Sequence, residues 1–159
     1  VTIGSGPSGF PELELTTRED ALFDELDALY EAKAWDELAR REFELWVFGP
    51  NRAAEDLDPD FVATAYGLNA VNARHAEENP TPTPLEPPAY DRLVDITVPA
   101  LVTVGDHDVS PVLAQYEYLL STIPGADGCR FPDSAHLPSV EQPAEFERIL
   151  LDWLDGHGL

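Results

Sequence analysis

Pro80-Thr81-Pro82-Thr83-Pro84-Leu85-Glu86-Pro87-Pro88 sets five prolines in nine residues, and no helix or central strand passes through such a run. Each proline lacks the backbone N–H and fixes φ, so the stretch is expected to lie extended as polyproline II. It divides the chain into halves with different hydrophobic periods. Residues 16–79 read as helices alone, residues 80–88 as a connection, and residues 89–159 as alternating strands and helices; residues 1–15 read as a strand end and its exit loop.

The first half opens with a capping box, Thr16-Thr17-Arg18-Glu19, in which a threonine oxygen accepts from a free backbone N–H and Glu19 reaches back. Leu22, Leu26 and Leu29 follow at helical spacing with acids on the other face. A second helix is expected from about Asp36, carrying Leu38, Leu45 and Trp46 and stopped by Gly49-Pro50. Asp58-Pro59 reads as an N-cap and a first-turn proline, opening a third helix through Phe61, Ala65, Leu68 and Val71 to about Glu78.

Beyond the prolines, Ala100-Leu101-Val102-Thr103-Val104 is a short continuous apolar run, the pattern of a strand buried on both faces. A helix from about Pro111 to Thr122 separates it from a second strand near Cys129 to Phe131, and a last helix runs from Pro143 to Leu154. Two strands joined through a helix imply a parallel pair. A short helix is expected over Ala89 to Leu93.

Nine Lys and Arg against 31 Asp and Glu, a net charge of −22 over 159 residues, repel phosphate backbones and anionic lipid across the whole surface. Nucleic acid and membranes are therefore poor partners, and the spread acids read as a solubilising surface. No apolar run approaches the roughly 20 residues of a membrane span. Cys129 stands alone, which excludes an internal disulfide and fits a reducing, cytoplasmic setting. Gly4, Gly6 and Gly9 have the spacing of a dinucleotide-binding loop, but Pro11, Glu12 and Glu14 occupy the place where a phosphate-facing helix would start. No cofactor is expected.

In parallel sheets the loops leaving the carboxyl ends of the strands collect reactive groups. After Val104 comes Gly105-Asp106-His107-Asp108; after the second strand comes Pro132-Asp133-Ser134-Ala135-His136-Leu137-Pro138. An acid and a histidine on neighbouring loops form a pair in which the carboxylate fixes the tautomer and the imidazole serves as general base. The Asp-His-Asp run also brings metal to mind, but adjacent residues do not easily converge on one ion and no further ligand spacing accompanies them. His75 and His157 read as helix-end or solvent-facing. Trp35, Phe43, Trp46, Phe48 and Phe61 read as helix core, with one or two lending a wall to a pocket.

These residues resemble the C-terminal portion of the α/β-hydrolase fold enzymes. Pro99 through Asp108 is similar to the strand and loop that supply the triad acid, and Asp108 matches that position. Asp133-Ser134-Ala135-His136, followed by Glu141-Gln142-Pro143 and Phe146, is similar to the histidine loop and last helix, with Ala135 where a glycine often stands. The resemblance implies an α/β fold, the later part of a hydrolase sheet with residues 16–79 as an inserted helical cap, and catalytic roles for Asp108 and His136. It also implies a small ester, lactone or similar acyl substrate; some relatives use an aspartate nucleophile on other bonds.

In that family the nucleophile elbow and oxyanion-hole loop precede the strand that Val1-Thr2-Ile3 resembles, and neither is found here. Gly6-Pro7-Ser8-Gly9-Phe10 departs from the elbow pattern, Ser5 and Ser8 lie on the wrong loop, and Ser110 and Ser139 follow the catalytic candidates. Cys129 reads as a buried, inert thiol. The chain is expected to be a fragment, a processed product or half of a split enzyme. A companion chain would carry the earlier strands, cover Leu101, Val102 and Val104, and point a nucleophile at His136. The competing reading is a non-catalytic acidic binding protein on the same scaffold.

Overall fold

The computed structural model describes residues 2, 3, 6–69, 75, 78, 81 and 83–159, of residues 2 and 3 the backbone alone. Val1, Gly4, Ser5, Val71, Asn79, Pro80 and Pro82, invoked above, lie outside the described residues. The order is β1 (Thr2–Ile3), α1 (Thr17–Glu31), α2 (Trp35–Phe43), a π turn (Glu44–Phe48) and a 3-10 turn (Ala54–Asp56), then α3 (Pro59–Asn69). After the proline run come a 3-10 helix (Ala89–Asp95), β2 (Leu101–Gly105), α4 (Ser110–Thr122), β3 (Asp127–Phe131), α5 (Pro138–Glu141) and α6 (Pro143–His157).

The strands form one sheet in the order β1-β2-β3, parallel throughout. Thr2 pairs with Val102 on one side of β2, and Val102 with Gly128 on the other. Central β2 is buried along its whole length, as its unbroken apolar run requires. Val102 and Val104 point to one face, where they pack with Leu93, Tyr116, Leu119 and Ile123 of the 3-10 helix and α4 region. The expectation that Leu101, Val102 and Val104 need further strands to cover them is not met. Each is only 3% exposed in this chain alone, and for Val102 and Val104 the cover is α4 and the 3-10 helix.

Among the helices, local signals act as expected. Thr16 caps α1 with the full reciprocal box, and Asp58 Oδ1 accepts from the N–H groups of Asp60 at 2.9 Å and Phe61 at 3.0 Å. Two expectations need correction. The second helix does not run regularly to Gly49: it widens after Phe43 into the π turn, which buries Leu45, Val47 and Phe48 together. Leu68, placed on the core stripe of α3 by its spacing, is 58% exposed. The core here is Phe43, Val47, Phe48, Phe61 and Ala65.

The helical segment is joined to the sheet by a shared core. Leu26, Leu38 and Leu45 pack with Val109, which is 1% exposed and follows Asp108 directly. Beside them Glu19, 3% exposed, serves two helices at once. It closes the α1 box on Thr16 and accepts from the Ser110 N–H and hydroxyl, both at 2.6 Å, at the positive N-terminus of α4. Burial alone would raise the Glu19 carboxyl, but hydrogen bonds from Ser110 and Thr16 outweigh it and hold it below its ordinary value.

A carboxyl with a depressed folded-state value stabilises the fold above its unfolded-state value and loses that contribution as pH falls through the folded one. Glu19→Gln is therefore expected to cost roughly 2 kcal/mol at pH 7. The gap to the unsubstituted protein should shrink as pH drops below the ordinary value of 4.5. Thermal melts across acid pH check this; a gap independent of pH would remove the ionised carboxylate from the account.

Candidate active site

The two strand-end loops are zipped together by backbone. Beyond the last ladder pair, Gly105 with Phe131, the N–H of Asp106 donates to the Phe131 carbonyl at 3.0 Å and that of His107 to the Ser134 carbonyl at 2.9 Å. Gly105 permits this approach: a Cβ there would sit 2.1 Å from the Ala135 carbonyl oxygen and 2.3 Å from that of Ser134.

The acid and the histidine come together across this seam. Asp108 Oδ2 lies 2.7 Å from His136 Nδ1, with the Asp108 side chain 1% exposed and that of His136 24%. The other oxygen of Asp108 accepts from the Val109 N–H at 2.8 Å. A carboxylate has only acceptors to offer, so the short contact calls for a ring proton on Nδ1, and in the neutral imidazole Nε2 is then an acceptor. Asp106 is turned away and pairs with Arg130 at 2.7 Å, so of the two acids flanking His107 one faces the histidine.

His136 is gripped from the helical segment as well. Its backbone N–H donates to the Trp46 carbonyl at 3.3 Å, and the two rings lie 5.0 Å apart. Trp46, Phe43, Leu38, Leu68 and His136 line a cavity of about 530 Å³, within the range of small-molecule sites. The carboxyl of Glu42, set in this apolar wall, is pushed up by partial desolvation. The aromatic reading divides accordingly: Phe48 and Phe61 are core, whereas Trp46 borders both the cavity and the imidazole.

The remaining candidates fall elsewhere. Among the described residues no serine, threonine or cysteine is hydrogen-bonded to the His136 ring. Ser8 Oγ accepts from the Ala89 N–H at 3.2 Å, Ser110 is committed to Glu19, and Ser139 lies within α5. Cys129 is half-buried rather than buried, on the edge strand β3, and desolvation pushes its thiol up. His75 is exposed and contacts Glu78 at 2.7 Å; His157, at the end of α6, lies 3.4 Å from Asp127. Among the described residues no three His, Cys, Asp or Glu side chains gather as a metal-ligand set, and no helix is long and apolar enough to cross a membrane.

Residues absent from the sequence reading of the site are Arg52 and the Trp46 carbonyl. Their contacts to the histidine loop span more than 80 residues, and no local pattern announces them. Glu19 and Glu141 were legible only as a capping residue and as part of a motif.

No family model matches the chain. A solved N-acyl homoserine lactone degrading enzyme superposes with a TM-score of 0.62 at 22% identity, over 94% of this chain and 55% of its own. The enol-lactonase of Burkholderia xenovorans superposes at 0.56 and 21% identity, over 82% of this chain and 48% of its own. This chain has the fold of the C-terminal part of an α/β-hydrolase. A third such structure, a proline iminopeptidase of Mycobacterium smegmatis, gives 0.51 at 22% identity, over 90% of this chain and 49% of that one. Curated proline iminopeptidases agree with this α/β-hydrolase assignment. That of Lactobacillus delbrueckii subsp. bulgaricus is 37% identical over 65 residues, 40% of this chain and 21% of its own length. That of Levilactobacillus brevis is 29% identical over 107 residues, 67% of this chain and 33% of its own. The chain thus spans a third or less of these two curated relatives.

Proposed function

We propose that this chain supplies the acid and the base of an α/β-hydrolase acting on a small ester, lactone or similar acyl compound. The observation that carries the reading is the 2.7 Å contact between buried Asp108 and His136 at the wall of the cavity. Asp108 holds the imidazole in the Nδ1–H tautomer and stabilises the imidazolium. His136 Nε2 takes the proton of a serine hydroxyl as it attacks the acyl carbon, then returns it to the leaving group; a water activated in the same way releases the acyl group. The serine comes from an upstream segment or a companion chain, whose strands add to the outer edge of β1. The helical segment, residues 16–79, is the cap over the acyl pocket. Relatives named as lactone-degrading enzymes and proline iminopeptidases support acyl transfer as the reaction class.

A fluorophosphonate probe tests this. It is expected to label the assembled hydrolase on a serine outside these 159 residues and to leave this chain alone unlabelled. Label on Ser8, Ser110 or Ser139 would overturn the assignment of the nucleophile. An assembly that takes no label and cleaves no activated ester would favour the acidic binding protein.

A further inference from the structure

Arg52 and Glu141 are largely enclosed but not fully buried, with side chains 11% and 9% exposed, and their contacts converge on the loop that carries His136. The Arg52 guanidinium donates through Nε to the Phe48 carbonyl at 2.6 Å, through Nη1 to the Asp133 carbonyl at 2.9 Å and Glu141 Oε1 at 2.7 Å, and through Nη2 to Glu141 Oε2 at 3.2 Å. Glu141 Oε2 in turn accepts from the N–H of Ala135 at 3.1 Å. The loop is therefore held at its start by Asp133 and beside the histidine by Ala135, with Glu141, at the end of α5, as the shared partner. Phe48, the remaining anchor, stands two residues beyond Trp46, whose carbonyl accepts from the His136 N–H.

We propose that Arg52 and Glu141 are positioning residues for His136, a clamp that fixes the histidine loop on the π turn of the helical segment and so keeps the imidazole on Asp108. The reason is geometric. The loop between Phe131 and α5 has no strand or long helix of its own, and the backbone seam with Gly105–His107 holds only its first half. One planar fork with several donors can span the Phe48 and Asp133 carbonyls and a bidentate carboxylate; the single ammonium of a lysine cannot. Because Arg52 sits just after Gly49-Pro50, the clamp also couples the placement of the helical segment to the placement of the base.

The kinetic arm of the test rests on the function proposed above; the spectroscopic arm does not. In the assembled hydrolase, Arg52→Ala is expected to lower kcat for an activated ester about 100-fold with KM nearly unchanged, the cost of a misplaced catalytic group. Arg52→Lys is expected to give no rescue. Glu141→Gln keeps an acceptor for Ala135 but loses the ion pair, and is expected to lower kcat about 10-fold. In the 15N-labelled protein the His136 Nδ1–H proton resonance should broaden or vanish in both Arg52 variants. A pair that only stabilises the fold would lower the melting temperature and leave this resonance and kcat unchanged, and that result overturns the proposal. If Arg52→Ala does not fold, the resonance and kcat of Glu141→Gln decide by the same criterion. If His136 proves dispensable for hydrolysis, the proposed function falls while the resonance still judges the clamp.

Discussion

If the proposed hydrolase assembly is right, replacing His136 by alanine in it is expected to lower hydrolysis of an activated ester by at least about 10⁴-fold and to leave a folded protein. In the proposed mechanism the imidazole moves the proton at both acyl-transfer steps, and members of a catalytic triad act as a unit, so losing one would remove nearly the whole contribution. The fold should survive because, among the described residues, the ring makes one side-chain hydrogen bond, to Asp108, and it is partly open to the cavity. Asp108→Asn is expected to approach the same loss, about 10⁴-fold, by a different route. An amide can present its NH₂ to Nδ1, which favours the tautomer with the proton on Nε2 and removes the acceptor. The two substitutions together should cost little more than either alone. Steady-state rates with circular dichroism on each variant check this. Full activity in the folded His136 variant would discard the base assignment, and multiplicative losses in the double variant would discard the coupled pair.

How much of this site the sequence discloses depends on the distance between the interacting groups. Thr16-Glu19 and Asp58-Pro59 act within a single turn, and both are found where the residue types place them. The pairing of Asp108 with His136 is legible because two strand-end loops of a parallel sheet must lie side by side, and the ladder between β2 and β3 carries them there. Arg52 carries no such sign, since its partners Asp133 and Glu141 stand on the far side of the proline run. Leu68 misled for the opposite reason: a 3.6-residue period marks the face that meets apolar surroundings, and here that surrounding is a cavity wall rather than packed core. The π turn was also hidden. One extra residue in the helical ladder changes which side chains face inward, and it is what sets Trp46 against His136 while Phe48 goes to the core. The cover of β2 was underestimated because the pattern of one strand does not count the helices laid on it.

The close approach between the helical segment and the acid loop makes Gly49→Ala a strongly damaging small substitution. Gly49 ends the π turn with φ 85° and ψ 165°, a region essentially reserved for glycine, and forcing another residue into it costs roughly 1–3 kcal/mol. Space is lacking too: a Cβ there would lie 2.0 Å from the His107 carbonyl oxygen and 3.4 Å from the Ala135 Cβ. The first is a backbone atom in the peptide plane of the Asp108 N–H, which donates to the Gly105 carbonyl at 3.2 Å, so it cannot rotate aside as a side chain would. Relief requires moving either the π turn that grips His136 or the loop that carries Asp108, and both movements lengthen the contact between them. Gly49→Ala should therefore lower stability by more than about 3 kcal/mol, strain and overpacking together, and lose hydrolysis in the fraction that stays folded. Gly67→Ala is the control. It lies inside α3 with nothing among the described residues within 4 Å of the added carbon, and removing a helical glycine should raise stability by roughly 0.5–1 kcal/mol. Thermal melts and ester hydrolysis on the two variants side by side separate the effects, and a Gly49 variant that melts with the Gly67 variant would mean that the turn does not press on the acid loop.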